Sequence, residues 1–557
     1  MNTPLVTNQN LSRERLLLAG ALLLLCAVQL LTWQTSEPFF NNDETRHLLT
    51  GVYFRDLLRE RPLTDLAGWT VRYYLQYPAL GLLIWPPFFY LVAGLLMSVF
   101  GTSIVVGQLA VGLFAALACV YVYRFVRLTH DAPQALGAVL LFGLAPMSFK
   151  YSRHVMLEMP TLALALAATF HFWRYLNEDR RRDIFLAAIL AALAALTRFD
   201  AVYLLPLFGL LLASKGRWDI LRRREVWLAA VAAVVLLTPA YAVTAKYIGW
   251  LHFKQASQTE LYGNPATFSW ARGAYYLKAL PRNFLGWALF IPALLGLGLS
   301  FRKSQRPAAW PYLAIAGVVY VTFTLISELD ERHAIYWLPA WAFFAAHALW
   351  TLAQTLKQPK FYAPLLAIVL ILTLRAGLPG ASLYVRGYAE AASYVIANTQ
   401  DTPFCFFSGR LNGNLIYQLR HHDPPRRLWT LRADKLLFND FNASAIGSRE
   451  LVSEPQMLAT LYRYDPALLI IETPTQGEPF AASGLARAAV EGRIREIIAA
   501  HPERFRLEKE IAVDSNFQGF RGMKLRIYRN LQRNPQPDKN LQFENLNLRG
   551  TLQTNVN

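Results

Sequence analysis

Four short charged stretches, each bordering a long apolar run, hold the residue types in this chain best suited to chemistry. A carboxylate can remove a proton from a hydroxyl group, and an arginine guanidinium binds phosphate through two parallel hydrogen bonds. Together they predict group transfer from a lipid phosphate, in which a base activates an acceptor oxygen and cations stabilise the departing phosphate. The stretches are FNNDETRH with Asp43 and Glu44, KYSRHVMLEMP with Arg153 and Glu158, LTRFDAVYLLP with Arg198 and Asp200, and ELDERHAIYWLP with Arg332, His333 and Tyr336.

The carboxylates of the first two stretches also have an ordinary structural interpretation. Asp43 and Glu44 stand at the start of an amphipathic pattern, where Asn41 or Asn42 would cap a helix. Glu158 also opens a helical run, and the helix dipole favours a carboxylate at that position. Capping alone therefore remains an alternative to catalysis for these residues.

The composition is that of a membrane protein. Of 557 residues, 54% are hydrophobic and only 17% are charged, with a mean hydropathy of +0.26. Soluble globular proteins are nearer one quarter charged, and long apolar runs predict transmembrane helices. The sequence therefore predicts a polytopic α-helical membrane protein with spans at Leu16–Trp33, Ile104–Tyr123, Leu136–Met147, Thr161–Phe172, Ile184–Leu196, Tyr203–Ala213, Val226–Val243, Trp287–Leu299, Tyr312–Ile326, Ile335–Leu352 and Ala363–Leu374.

The net charge of +18 does not predict a nucleic-acid partner, because Lys and Arg in a membrane protein set topology and contact anionic lipid. The three cysteines, Cys26, Cys119 and Cys405, are scattered and predict neither a disulfide framework nor a zinc site. Arg13 and Arg15 precede the first apolar run as in a signal peptide. No small-residue cleavage pattern follows that run, so a retained first helix is predicted.

Basic residues cluster in six loops, and the positive-inside rule places all six in the cytoplasm. They share one side only if an even number of spans separates each cluster from the next. Residues 80–100 are apolar enough to cross, but a full crossing would move every later cluster to the other side. We therefore predict an interfacial or re-entrant helix there on the outer face, about eleven spans, a cytoplasmic N-terminus and an extracytoplasmic C-terminal domain. The clusters are Arg13/Arg15, Arg124/Arg127, Arg174 with Arg180–Arg182, Lys215 through Arg224, Arg302/Lys303/Arg306 and Lys357/Lys360.

With this topology all four charged stretches lie on the outer side of the membrane. A solvated loop explains any one of them: Arg198 could simply pair with Asp200, and His333 at the top of a helix could be structural. The positive-inside rule was applied to other loops, yet it places all four stretches on the same side of the membrane. This favours one shared site.

The chain divides by composition into three parts. Residues 1–379 are predicted to form the transmembrane catalytic domain. Residues 380–530 alternate apolar and charged helical segments, which predicts a soluble α/β domain. That domain could hold the acceptor or a partner, or only cover the bundle. Residues 531–557 are rich in Asn and Gln and are predicted to be disordered.

The order and spacing of five motifs, within residues 12–355, resemble the GT-C glycosyltransferases of family 39 and its relatives, the protein O-mannosyltransferase and aminoarabinose-transferase type. Two departures are Glu158, where relatives usually carry Asp, and Arg198, where relatives often carry Lys. Both keep the charge but alter reach and phosphate geometry. The motifs are Asp43-Glu44; Tyr77-Pro78 and Pro86-Pro87 closing in Phe100-Gly101; Arg153-x4-Glu158-x-Pro160; Thr197-Arg198; and Arg332-His333-x-x-Tyr336-x-Leu338-Pro339.

The resemblance implies a GT-C fold and a mannosyltransferase-like enzyme of the cell envelope, in a bacterial inner membrane. It would transfer a hexose or pentose, with inversion, from a polyprenyl-phosphate carrier such as undecaprenyl phosphate to a lipid, glycan or protein acceptor. Asp43 would be the general base, Glu44 its partner, and Glu158 a second acid near the acceptor or a divalent metal ion. Relatives differ in metal dependence, and no ligand spacing here decides it. The carrier phosphate and sugar would be bound by Arg153, Arg198, Arg332, His333 and Tyr336.

Two other classes of protein remain open from the sequence. A transporter or flippase of lipid-linked sugars is typically built from two repeated halves with charges at mid-membrane. In this sequence the charges lie at one surface of the membrane. A non-catalytic assembly protein of the cell envelope would use the C-terminal domain for docking.

Overall fold

The structure, a computed structural model, describes residues 8–39, 42–249, 266, 268–326, 328–399, 402–437, 453–474, 482–545 and 550–556. Asn41, one of the two candidate caps, lies outside the described residues. The chain is a mostly helical membrane protein, with a helical bundle up to Ala381 and a unit of mixed strands and helices after it. Short helical turns occur at Phe199–Tyr203, Trp218–Arg222, Leu280–Phe284, Glu331–Trp337, Pro359–Phe361 and Gln518–Phe520.

Each of the eleven predicted apolar runs coincides with a helix of the bundle. Among the residues that the structure describes, five helices are long and apolar enough to cross a membrane, within Ser12–Leu31, Ile104–Val126, Arg224–Tyr247, Arg306–Leu325 and Pro359–Ala381. Three apolar helices are shorter, at Phe88–Phe100, Ala132–Leu144 and Trp287–Ser300. The bundle consists of α1 (Asn8–Leu31), α2 (Asn42–Glu60), α3 (Leu66–Gln76), α4 (Phe88–Phe100), α5 (Ile104–Val126), α6 (Ala132–Leu144), α7 (Pro146–Tyr151), α8 (Glu158–Glu178), α9 (Arg181–Ala195), α10 (Leu204–Lys215), α11 (Arg224–Tyr247), α12 (Trp270–Ala279), α13 (Trp287–Ser300), α14 (Arg306–Leu325), α15 (Leu338–Thr355) and α16 (Tyr362–Ala381).

Helices α8 and α15 form the centre of the bundle, since most of their side chains are buried. Helix α13 packs against α15 so closely that a Cβ at Gly296 would lie 1.8 Å from the carbonyl oxygen of Phe344. Helices α1 and α11 lie at the periphery, and most of their apolar side chains are exposed, as expected for helices facing lipid. The two central helices each begin at a charged stretch, so the core of the bundle fixes where those charges lie.

Helix α4 has 13 residues and so spans about 20 Å, less than the roughly 30 Å hydrocarbon core. It packs along α2, with Gly51 and Gly94 at the contact. A Cβ at Gly94 would meet the Gly51 carbonyl oxygen at 3.1 Å. The pair α2–α4 thus forms a layer at the end of the bundle that carries the strand-containing unit.

The second unit is an α/β domain built on a five-stranded sheet of order β3-β2-β4-β7-β5. Strand β2 is parallel to β3 and β4, while β7 is antiparallel to β4 and β5. All residues of β2, β3 and β4 are buried, as in parallel strands covered on both faces. The elements are β1 (Val385–Arg386), α17 (Tyr388–Asn398), β2 (Phe404–Ser408), α18 (Asn412–His422), β3 (Trp429–Arg432), α19 (Ala433–Leu436), α20 (Glu454–Tyr464), β4 (Leu468–Glu472), α21 (Ala482–Ala500), β5 (Phe505–Ala512), β6 (Asp514–Ser515) and β7 (Lys524–Asn530).

The prediction of disorder for residues 531–557 is wrong for two segments of that range. Strands β8 (Asn540–Asn545) and β9 (Gly550–Asn555) pair as an antiparallel two-stranded sheet. Leu541 and Val556 are buried in the hydrophobic core of the α/β domain. A few apolar side chains that find a partner surface are enough to order a segment whose average composition is polar.

Candidate active site

Four structural elements bring the charged stretches together at the end of the bundle that carries the α/β domain. Asp43 lies in the first turn of α2, and Glu158 is the first residue of α8. Arg198 follows α9 and precedes the turn at Phe199–Tyr203. Arg332 belongs to the turn Glu331–Trp337, which leads directly into α15. The predicted site residues in this cluster therefore come from the beginnings and ends of helices.

Arg198 is the innermost cation of the cluster. Its Nη1 lies 2.7 Å from Glu158 Oε1, and its Nε lies 2.5 Å from Asp200 Oδ2. The Glu158 side chain is 0% exposed and that of Arg198 is 6% exposed, so both charges are removed from bulk water. Removal of one partner would leave the other charge buried and uncompensated.

Arg332 joins the two halves of the site. Its Nη1 donates to Asp43 Oδ2 at 3.0 Å, and its Nε lies 2.8 Å from Asp330 Oδ2 and 3.8 Å from Glu158 Oε1. The side chains of Asp43 and Arg332 are 18% and 14% exposed, which leaves this pair accessible from outside the protein. A single guanidinium thus serves three carboxylates, and a phosphate would compete with them for it.

Asp200 holds the histidine and tyrosine of the last stretch. Its Oδ2 lies 2.9 Å from His333 Nδ1 and accepts a hydrogen bond from the Tyr336 hydroxyl at 3.2 Å. The two neighbours ask for different states of Nδ1: protonated, it donates to Asp200, and unprotonated, it accepts from Nη2 of Arg198, which lies 3.1 Å away and can only donate. Burial alone would lower the pKa of His333, but Asp200 raises it above its ordinary value.

The two adjacent acids of α2 have opposite surroundings. Burial alone would raise the pKa of Asp43, but Arg332, followed by Arg46 and His47, lowers it to about 2. Burial raises the pKa of Glu44, although His154, whose Nδ1 lies 2.8 Å from Glu44 Oε1, opposes that effect. Asp43 is therefore an ionised carboxylate beside the Arg332 guanidinium, which a phosphate could also bind. Glu44, by contrast, is buried against His154.

Arg153 is the predicted site residue that the structure places apart from this cluster. Its Nε and Nη2 donate to Gln29 Oε1 at 2.8 and 2.6 Å, and its Nη1 donates to the Thr32 carbonyl at 2.9 Å. The guanidinium also lies 4.0 Å from the centre of the Phe149 ring. These contacts tie the end of α1 to the segment after α7.

The sequence did not single out the three residues that support the site most directly. Asp200 was considered only as an ion-pair partner of Arg198, yet it also orders His333 and Tyr336. Asp330 and His154 stood inside the quoted stretches without an assigned role. The sequence feature that could have identified these residues is their position next to predicted site residues. Which side chains they contact across the bundle cannot be inferred from the sequence.

The chemistry that the cluster can support is proton transfer and phosphate binding. Within the described part of the chain, no group of three or more His, Cys, Asp or Glu side chains is placed to hold a metal ion. Two buried polar atoms next to the charges, Glu158 Oε2 and His333 Nε2, have no hydrogen-bond partner among the described residues. Such atoms can pair with hydroxyl groups of a substrate at little cost in desolvation.

The fold is the GT-C fold of membrane glycosyltransferases, as the resemblance implied. The crystal structure of ArnT from Cupriavidus metallidurans bound to undecaprenyl phosphate matches with a TM-score of 0.61 and 15% identity, over 93% of this chain and 99% of that one. A family model described as dolichyl-phosphate-mannose-protein mannosyltransferase matches residues 85–242. The expected resemblance is therefore confirmed by both sequence and fold. A search of curated protein sequences gave no significant match.

Two further solved structures share the fold. The archaeal oligosaccharyltransferase AglB from Archaeoglobus fulgidus, in complex with an inhibitory peptide and a dolichol-phosphate, matches with a TM-score of 0.53 and 13% identity, over 83% of this chain and 70% of that one. The arabinofuranosyltransferase AftD from Mycobacteria matches with a TM-score of 0.52 and 14% identity, over 94% of this chain and 40% of that one.

Proposed function

We propose that the protein transfers a monosaccharide from a polyprenyl-phosphate carrier to a lipid, glycan or protein acceptor, with inversion at the anomeric carbon. The observation that carries the proposal is the Asp43–Arg332 pair, a carboxylate and a guanidinium 3.0 Å apart at the accessible edge of a buried charge cluster. The fold supports it, because the ArnT structure with this fold binds undecaprenyl phosphate. The family model that matches residues 85–242 is named for a transferase of phosphate-linked mannose.

The proposed reaction is a single displacement. Asp43 removes the proton from an acceptor hydroxyl, and the acceptor oxygen attacks the anomeric carbon of the sugar. The bond from that carbon to the phosphate oxygen breaks, and the electron pair leaves with the polyprenyl phosphate. Arg332 and Arg198 stabilise the charge that develops on the departing phosphate. Glu158 Oε2 and His333 Nε2, with Tyr336 next to Asp200, orient the sugar or the acceptor through their hydrogen bonds.

Donor binding would also activate the base. In the free protein Arg332 lowers the pKa of Asp43 to about 2, which makes Asp43 a weak base. A carrier phosphate that takes one edge of the guanidinium draws Arg332 away from Asp43, and the basicity of Asp43 then rises. Proton removal is thereby coupled to the presence of the leaving group.

We propose the extracytoplasmic face of a bacterial inner membrane as the place of reaction. The distribution of Lys and Arg supports this orientation, since the six basic clusters fall in loops that an even number of predicted spans separates, with residues 80–100 read as an interfacial helix. The α/β domain and the charge cluster then both lie outside the cytoplasm.

The proposal is tested with purified full-length protein, a panel of undecaprenyl-phosphate-linked hexoses and pentoses, and envelope extract as acceptor, with released undecaprenyl phosphate as the readout. Wild type should release it and Asp43→Asn should not. Asp65→Asn is the matched control, because Asp65 only caps α3 and asparagine caps as well. Equal release by wild type and Asp43→Asn, or release by neither, would rule out this catalytic assignment and favour transport or assembly.

A further inference from the structure

The α/β domain is bonded directly to the first turn of the helix that carries Asp43. The Asn42 side chain donates to the Arg410 carbonyl at 3.1 Å and accepts from the Gly413 amide at 2.9 Å. Asn42, predicted as a cap for its own helix, therefore accepts from the first turn of α18 in the other domain. A Cβ at Gly413 would lie 2.3 Å from Thr45 Oγ1, so the two helix starts are in close contact.

The segment before Asp43 is held in the same way. Glu37 accepts from the amides of Gly387, Tyr388 and Ala389 at 3.1, 3.1 and 3.2 Å, which are the donors at the start of α17. A carboxylate at a helix N-terminus is stabilised by free amides and by the helix dipole. Glu37 and Asn42, which both precede Asp43, thus contact the starts of two helices of the α/β domain.

One buried carboxylate, Glu472 at the end of β4, links these two helix starts. It accepts from the amides of Arg410 and Leu411 at 2.6 and 3.1 Å, and from the Tyr388 hydroxyl at 2.8 Å. Burial, and then the nearby Glu491, raises the pKa of Glu472 to about 7. Burying a carboxylate costs free energy unless hydrogen bonds compensate for the lost water. Here the compensating bonds come from the loop that holds Asn42, so Glu472 fixes that loop.

A second connection fixes α2 near its C-terminal end. Arg420 of α18 donates to Asp56 of α2 at 2.6 Å, with both side chains buried, and Asp56 also accepts from the Tyr73 hydroxyl at 2.7 Å. Helix α18 therefore contacts α2 at its first turn and again near its end. With the C-terminal part of α2 fixed by this pair, the loop at 410–413 decides the direction of its first turn.

We infer that Glu472 is a positioning residue for Asp43, acting through the 410–413 loop and Asn42, so that the α/β domain is an integral part of the active site. The inference rests on the proposed role of Asp43. A base must lie within hydrogen-bond reach of its proton, and an error of 1 Å from a remote change can cost about 100-fold in rate. The α/β domain thereby sets the activity of a site in the bundle.

The kinetic test uses full-length Glu472→Gln and Asn42→Ala, with Glu510→Gln as the matched control, because Glu510 pairs with Lys524 and Arg526 on the exposed face of β5. Each test variant should lower kcat by about 10- to 100-fold with little change in the KM for the donor. The double variant should lose less than the product of the single losses, since both changes break one chain of contacts. A control that loses as much as Glu472→Gln would overturn the inference.

A second readout does not depend on activity. Amide hydrogen exchange at residues 42–48 should increase about tenfold or more in both test variants and stay unchanged in the control. Unchanged exchange there, in variants that fold, would overturn the inference even if Asp43 proves catalytic. Increased exchange together with a fully active Asp43→Asn would instead contradict the proposed function alone. If Glu472→Gln does not fold, the kinetic and the hydrogen-exchange measurements are made on Asn42→Ala alone, because Asn42 is the other end of the same chain of contacts.

Discussion

At the scale of single residues, the site is organised by two arginines that are shared among several acids. Arg198 serves Glu158 and Asp200, and Arg332 serves Asp43. The sequence predicted that these stretches meet, because the rule of basic loops put them on one side of the membrane. It could not predict which acid each arginine contacts, since that depends on helix rotations set by packing across the bundle.

The pairing of Asp43 with Arg332 predicts a shift in the pH dependence of activity. Asp43 must be ionised to act as a base, and Arg332 keeps its pKa at about 2 in the free protein. In Arg332→Gln, burial is no longer offset by this cation, so the pKa of Asp43 rises and activity is lost at a higher pH. The acidic limb of the kcat/KM profile, which reports the free enzyme, should therefore lie at a higher pH in the variant than in wild type.

Arg526→Gln is the control for this profile, since Arg526 lies on the α/β domain and pairs with Glu510 on its exposed face. The control should follow wild type. An acidic limb that does not move in Arg332→Gln would contradict the assignment of Asp43 as the base.

At the scale of elements, the apolar runs predicted the helices well, because burial in lipid demands long uninterrupted apolar stretches. Two features depended on contacts that composition does not contain. Strands β8 and β9 form in a polar tail because Leu541 finds the core of the α/β domain. Arg153 turns toward α1 because Gln29 lies there. Arg153 and Gln29 are 124 residues apart in the chain, and the residues that Leu541 packs with lie in other elements.

The contacts of Arg153 predict a role in stability. Arg153→Met removes the hydrogen bonds to Gln29 and Thr32 and should destabilise the protein by about 2 kcal/mol, as expected for bonds to a charged group. The KM for the donor should stay unchanged. Thermal unfolding in detergent and steady-state kinetics measure the two effects, and a raised KM with unchanged stability would return Arg153 to the phosphate site.

At the scale of the whole molecule, the bundle and the α/β domain act as one structure. The charge cluster lies at the end of the bundle that α2 shares with the α/β domain, and Arg420 and Asp56 pair across that boundary. The sequence predicted the two parts but left the role of the second open. Contacts between Asn42 and Gly413, 371 residues apart, could not be inferred without the fold.

The proposed orientation predicts which surfaces can be labelled in intact cells. In a cysteine-free background, Asp514→Cys on the exposed face of the α/β domain should react with a membrane-impermeant maleimide applied outside the inner membrane. Arg181→Cys at the exposed start of α9 should react only after the membrane is opened. The reverse pattern would place the α/β domain and the charge cluster in the cytoplasm.

The most direct measurement of the central claim separates donor binding from chemistry in Asp43→Asn. The neutral side chain keeps the size of aspartate and no longer competes for Arg332, so the variant should bind the undecaprenyl-phosphate sugar that wild type turns over at least as tightly as wild type does. Its single-turnover release of undecaprenyl phosphate should be at least about 100-fold slower, as expected for loss of a general base. Release at the wild-type rate with intact binding would contradict the account.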